Sequence, residues 1–172
     1  MKILLCAVIL ICTSAIGVNI YRNSLRKLKL LEAFKSMFLQ FEAYIGIDHA
    51  EIGECIRRYI SMNDAAAPIL QDAQARMEHD KRMPFNRAMQ ESLDEYVTRN
   101  RGLMEQKDAD LISHTCRELG SIQRSHIAEV LVRAENLLDR RITECRERDV
   151  KNGKLMNQLG IIIGIAIVIL II

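Results

Sequence analysis

Tryptophan is absent from this chain, and all aromatics together make up only 5% of it. That composition supplies no platform for stacking nucleic-acid bases. Net charge is nearly absent too: 24 basic residues stand against 22 acidic ones. A near-neutral chain lacks the electrostatic footprint of a nucleic-acid binder. Proline occurs only twice, at Pro68 and Pro84. There is no Pro- or Gly-rich tract to serve as a long linker, and no internal repeat. No stretch alternates apolar and polar residues with period two, so strands are not expected. The five cysteines, Cys6, Cys12, Cys55, Cys116 and Cys145, are odd in number and widely spaced. That argues against a disulfide framework and for reduced, buried thiols.

Catalytic patterns are missing as well. His49, His79, His114 and His126 are scattered, and no H-E-x-x-H step occurs. No cluster supplies the four ligands of a metal site. His114 and Cys116 are two apart, which turns them to different sides of a helix. Gly153-Lys154 lacks the upstream glycine and the following Ser/Thr of a phosphate loop. Asp94, Glu95, Asp108 and Asp110 read as solvated helix-surface and cap positions. No catalytic residue, cofactor or metal is expected, and the chain reads as non-enzymatic.

What is present lies first at the ends. One apolar segment runs from Ile3 to Ile20, and another from Leu159 to Ile172, or from Leu155 with its polar lead-in. Arg22, Arg26, Lys27 and Lys29 follow the first; Arg146, Arg148, Lys151 and Lys154 precede the second. Positive flanks stay in the cytoplasm. The expectation is a two-span membrane protein with a cytoplasmic middle: a transmembrane helix over 1–21, a bundle over 22–154 and a transmembrane helix over 155–172. A cleaved secretory signal is the rival for the first segment. The basic cluster directly after it opposes translocation. A lipoprotein reading fails because Ile11, before Cys12, is too large. Gly160 and Gly164 form a G-x-x-x-G step that would let membrane helices approach closely, although glycine is common in such helices anyway. Thr13 and Gly17 make a weaker step of the same kind.

The middle reads as all-α. Leu25, Leu28, Leu31, Phe34, Phe38, Phe41 and Ile45 form one stripe at helical spacing, ended by Gly46. Asp48 and Glu51 make a capping-box pattern for a second helix carrying Cys55, Ile56 and Tyr59. Asn63 or Asp64 can cap a third, with Pro68 tolerated in its first turn. Met83-Pro84 opens a fourth, broken over Asn100 to Gly102. A fifth covers about Asp108 to Leu119 and stops at Gly120. A last one starts at Ser121 or Ser125, carries Ile127, Val130, Leu131, Ala134, Leu137, Leu138, Ile142 and Cys145, and can run on through Asn152-Gly153. Short connections make this an antiparallel bundle of about six helices.

Glu118-Leu119-Gly120, the long polar helix after it, Leu159-Gly160-x-x-x-Gly164 and the aliphatic end give the chain a recognisable layout. It resembles the stage III sporulation protein AB family over essentially its whole length. Ser121, Ile122, Gln123 and Arg124 depart from it, where an acid shortly after the Leu-Gly step is expected. The family in turn looks like the inner-membrane platform proteins of type II secretion and type IV pilus machines. The resemblance implies a non-enzymatic platform in the channel complex between mother cell and forespore. It implies the outer forespore membrane, a bundle in the mother-cell cytoplasm, and a secretion-type ATPase and other membrane subunits as partners. A homo-oligomer and a membrane-tethered adaptor for another cytoplasmic partner stay open. Gly46, Asp48, Asn63, Asp64, Asn100 and Arg101 mark candidate partner-contact loops; the plain alternative is ordinary surface turns.

Overall fold

A computed structural model describes the backbone of residues 2–46, 48, 50–62, 64–121 and 126–171. Of these it describes the side chains of 12, 14–46, 48, 50–62, 64–120, 126–159, 162 and 169. The described residues form helices α1 (Lys2–Gly46), α2 (Ile52–Ile60), α3 (Ala67–His79), α4 (Phe85–Arg99), α5 (Gln106–Ser121), α6 (Ile127–Glu144) and α7 (Lys151–Ile171). A π-helical stretch, Cys145–Val150, joins α6 to α7 without a break. The only extended pairing among them is an isolated bridge between Arg101 and Met104. The all-α expectation holds. Among the described residues no helix is long and apolar enough to cross a membrane. Much of both terminal apolar segments lies outside the described side chains.

The chain divides into two compact units, one of Met1–Leu28 with Thr143–Ile172 and one of Lys29–Ile142. In the second unit α2 packs on α3, α3 on α4 and α4 on α5. Its core is the stripe read from sequence: Leu31, Phe34, Phe38 and Phe41 of α1 are all but fully buried, with Ile56, Leu70, Met89, Leu93, Ile112, Leu131 and Leu138 from the other helices. Each such side chain contributes about 1.5–3 kcal/mol on burial, so this stripe dominates the unit's stability. Leu137 departs from the inward list and is exposed on α6.

The helix ends differ in detail from the expectations. α1 does end at Gly46. Gly46 itself is not left-handed, since Gly102 (φ 90°) is the only described glycine with positive φ. Gly102 sits in the turn after α4, where the Leu103 amide donates to the Asn100 carbonyl at 3.0 Å. The capping box at Asp48 and Glu51 does not form. Helix α2 starts late enough that Glu51 is itself the cap residue, and its carbonyl accepts from the amides of Glu54 and Cys55. Asp64 does not cap α3 either: Ala66 is the cap residue, with Pro68 in the first turn as its fixed φ favours. Helix α5 starts at Gln106 and continues past Gly120. The Glu105 carbonyl accepts from Asp108 and Ala109 to open it. Gly120 has room around it, with Asn86 Cβ 3.9 Å from where a Cβ would stand.

Candidate functional site

In the first unit α1 and α7 pack closely at two glycines. A Cβ on Gly17 would stand 2.9 Å from the Cα of Asn157 and 3.0 Å from the Met156 carbonyl oxygen. A Cβ on Gly153 would stand 3.0 Å from Ser24 Oγ and 3.2 Å from the Cα of Tyr21. Further along, Lys27 Nζ donates to Asp149 Oδ2 at 2.5 Å. Contact positions rise along α1 as they fall along α7, so the two run antiparallel. Backbone meets backbone at both glycines, which is what small residues allow and larger ones forbid. Ser24 Oγ donates to the Ile20 carbonyl at 3.1 Å, which keeps that hydroxyl occupied inside its own helix. Asn157 brings an amide oxygen, Oδ1, that is buried without a hydrogen-bond partner among the described residues.

The π-helical stretch explains how one face of α7 stays on α1. Cys145, Asp149 and Gly153 are spaced four apart, and Cys145 and Gly153 are buried while Asp149 meets Lys27. On an α-helix, positions four apart drift by about 40° around the axis. Winding to i+5 turns the chain less per residue and takes that drift back. Lys27 is buried and Asp149 about a third exposed (6% and 31%). A buried ammonium is costly unless paired, so this contact fixes register as much as it adds stability.

In the second unit, ion pairs brace the long helices. Lys35 of α1 donates to both oxygens of Asp139 on α6, at 2.7 and 2.8 Å, and lies 3.6 Å from Glu135. The hydrogen bond to Asp139 holds the Lys35 ammonium above its ordinary pKa. Arg141 of α6 donates from Nε to Asp108 Oδ1 at 2.7 Å and lies 3.6 Å from Glu105. Asp108, read from sequence as a solvated cap residue, is fully buried, and its Oδ2 has no hydrogen-bond partner among the described residues. The correction has a physical cause: Asp108 stands in the first turn of α5, where the helix dipole and Arg141 both compensate its charge. Arg76 of α3 binds Asp72, Glu91 and Glu95, tying α3 to α4. The Tyr59 hydroxyl, with one proton to give, lies 2.7 Å from the Ala33 carbonyl and 2.9 Å from Asp64 Oδ2. Burial, reinforced by Asp64, drives the Tyr59 phenol above its ordinary pKa.

The loop residues singled out from sequence fall as follows. Gly46 lines a groove of about 360 Å³ with Leu39, Glu42, Ala43 and Ile127. Asp48 accepts from Arg58 Nη1 at 2.9 Å. Arg58 also lies 5.1 Å from the centre of the Tyr44 ring. Asp64 binds Tyr59, so Asp48 and Asp64 both converge on α2. Asn100 follows α4 and donates from Nδ2 to the Tyr96 carbonyl at 3.1 Å. Arg101 is exposed in the next turn. Asn63 lies outside the described residues. Gly160 and Gly164 belong to α7, but their surroundings lie outside what is described. Among the described residues, the glycines that make backbone contact are Gly17 and Gly153. By sequence Gly17 is half of a weaker step, and Gly153 is weighed against a phosphate loop and as part of a continuing helix, not as a packing position. A usable signal existed: Gly17 with Ser24, and Gly153 with Gly160, repeat small residues at seven, the spacing of a helix seam.

The described side chains assemble no activated nucleophile. Cys116 is buried, and burial pushes its thiol up to about 12. His114 is exposed beside Glu118 at 3.8 Å. Burial also raises the Cys55 thiol. Cys55, Cys116 and Cys145 are buried, as expected from sequence, whereas Cys12 is exposed. No group of three or more His, Cys, Asp or Glu among the described residues could hold a metal. The arrangement is one of bracing contacts between helices.

Compared with known proteins, residues 2–172 match the family model for Stage III sporulation protein AB. No curated protein and no solved structure matches the chain.

Proposed function

The chain belongs to the stage III sporulation protein AB family, and on that premise we propose that it is a non-enzymatic membrane platform of the sporulation channel complex. The family gives it a role in sporulation. Beyond that, it couples a secretion-type ATPase in the mother-cell cytoplasm to membrane subunits of the channel. Both ends sit in the outer forespore membrane, and the bundle faces the mother-cell cytoplasm.

One observation carries this reading. Two helical runs, Lys2–Gly46 and Ile127–Ile171, are each continuous from an apolar terminal segment into bundle helices. Each run is unbroken helical backbone, so an apolar end and a bundle helix belong to one hydrogen-bonded element. The apolar segments with inward cations support membrane residence. The ion pairs Lys35–Asp139 and Arg141–Asp108 support a stiff bundle.

The test uses the full-length chain, tagged and expressed in sporulating cells. The protein should remain with the bilayer after alkaline carbonate washing. Cys12 should resist a membrane-impermeant maleimide until detergent is added. Affinity capture from solubilised membranes should retain a secretion-type ATPase. Release by carbonate would end the membrane reading, and capture without any ATPase would end the coupling reading.

A further inference from the structure

The antiparallel pair formed by α1 and α7 carries a set of cations that its own packing leaves free. Arg22, Arg26, Arg148, Lys151 and Lys154 are all exposed. None of them forms an ion pair among the described residues, in contrast to the buried Lys27, which is taken up by Asp149. The contacts of Tyr21 and Ser24 with Gly153, and of Lys27 with Asp149, set Arg22 and Arg26 level with 148–154. At 100° per residue, Arg22 and Arg26 lie on the side of α1 opposite the line Gly17, Tyr21, Ser24 and Lys27 that meets α7. Lys151 lies on the reverse of α7, and Arg148 and Lys154 lie on its flanks by the same geometry. The cations therefore ring the helix pair and do not converge on one point. Glu147 is the counter-charge among them, exposed in the π-helical stretch.

The neighbouring surface says what such a ring meets. Immediately beyond it on one side, Ile16, Val18 and Ile20 of α1 and Leu155, Met156, Leu159 and Ile162 of α7 are exposed, Ile16 and Ile162 at 62% and 60%. Unit charges thus border a belt of bare aliphatic side chains. From 148 to 154 the ring spans about 9 Å of helix rise. A headgroup layer is about 5–8 Å deep on each side of the hydrocarbon core. A single phosphate could touch only one or two of these cations, because they face away from one another. A layer of headgroups reaches all of them at once, while its acyl chains cover the apolar belt. Long Lys and Arg side chains suit that border, with stems along lipid and charges at the phosphates.

We propose that Arg22, Arg26, Arg148, Lys151 and Lys154 form a collar that binds anionic phospholipid headgroups and sets the depth of the helix pair in the bilayer. The inference rests on the membrane reading above and adds a lipid class to it. It also gives the pair a fixed level against which a displacement could be transmitted.

The experiment uses the full-length chain reconstituted in bilayers of phosphatidylcholine with phosphatidylglycerol. Spin-labelled phosphatidylglycerol and phosphatidylcholine report which lipid the protein retains at its surface. Each cation near such a surface biases the equilibrium by about fivefold, so a severalfold preference for phosphatidylglycerol is expected. The variant R22Q/R26Q/R148Q/K151Q/K154Q should reconstitute with unchanged helix content and lose the preference, because these side chains are exposed and outside the Gly17–Gly153 seam. High salt should weaken the wild-type preference. Inorganic phosphate at matched ionic strength should leave it unchanged; specific displacement by phosphate would overturn the lipid assignment. A wild-type chain that stays in the bilayer without lipid preference, or a variant that keeps it, would overturn the collar alone. A chain released by carbonate would overturn the membrane reading and the collar with it.

Discussion

Gly17→Ala is the sharpest test of the helix pair. The added Cβ would stand 2.9 Å from the Cα of Asn157 and 3.0 Å from the Met156 oxygen. Carbon atoms at rest stand about 3.5–4.0 Å apart, so the helices must part by about 0.6–1 Å. Neither neighbour is the end of a flexible side chain, so no rotamer change relieves the contact. Overpacking of this kind costs about 1–3 kcal/mol. Alanine returns up to about 1 kcal/mol of helix propensity. The net expectation is a loss of about 1–2 kcal/mol, or roughly 5- to 30-fold in the closed-to-open ratio. Gly53→Ala in α2 is the control, because nothing lies within 4 Å of its Cβ position. It should stabilise by up to about 1 kcal/mol through propensity alone. The assay is native-state thiol labelling of the full-length chain in micelles, resolved by peptide mass. Cys145 is buried in the same unit as Gly17, and Cys116 in the other. Gly17→Ala should accelerate labelling of Cys145 and leave Cys116 protected. Equal labelling of Cys145 in wild type and G17A, or a G17A chain as resistant to detergent unfolding as G53A, would refute the packing argument.

Other expectations follow from the ion pairs and thiols. Lys27→Met or Asp149→Ala alone should each destabilise the first unit by about 2–4 kcal/mol, somewhat less than breaking a fully buried pair because Asp149 is partly exposed. K27M/D149L should recover most of that loss in detergent titrations; strict additivity of the two single losses would count against a direct pair. Arg141→Met should cost about 3–5 kcal/mol by leaving Asp108 buried and unpaired. R141M/D108N should be milder than R141M, as read by the urea midpoint of the second unit. At Asp72, burial opposes ionisation, but the hydrogen bond and charge of Arg76 prevail and hold the carboxyl below its ordinary value of 3.8. Its contribution is therefore present above about pH 4 and fades as pH falls further. With nearly half of Asp72 exposed, that contribution should stay below about 1 kcal/mol. Arg76→Met should flatten this acid limb of the stability curve, and an unchanged limb would assign it to other carboxylates. Cys116, with its thiol pushed up to about 12, should resist alkylation at pH 8 until the second unit unfolds; prompt native-state reaction would contradict its burial.

Periodicity made much of the bundle legible. Leu31, Phe34, Phe38 and Phe41 recur at three and four, and an amphipathic stripe has one way to satisfy itself, against other stripes. Pro68 and Pro84 marked helix starts because a missing amide proton is tolerated only there. Caps were less legible. Asp48 and Asp64 have the right chemistry at the right spacing, yet Arg58 and Tyr59, brought near by folding, take their carboxylates. A cap is a local option, and a side chain from elsewhere can outbid it.

Sequence by itself determined the all-α character, the family, the apolar ends and their basic flanks, because composition and period are properties of neighbours along the chain. Tertiary structure alone decided that Asp108 is buried against Arg141, that Lys27 is spent on Asp149 while Arg22 and Arg26 stay free, and that Gly17 and Gly153 are where backbones touch. Those facts depend on which residue of one helix stands level with which residue of another. That register is set by packing across more than a hundred residues of chain, and no local pattern encodes it.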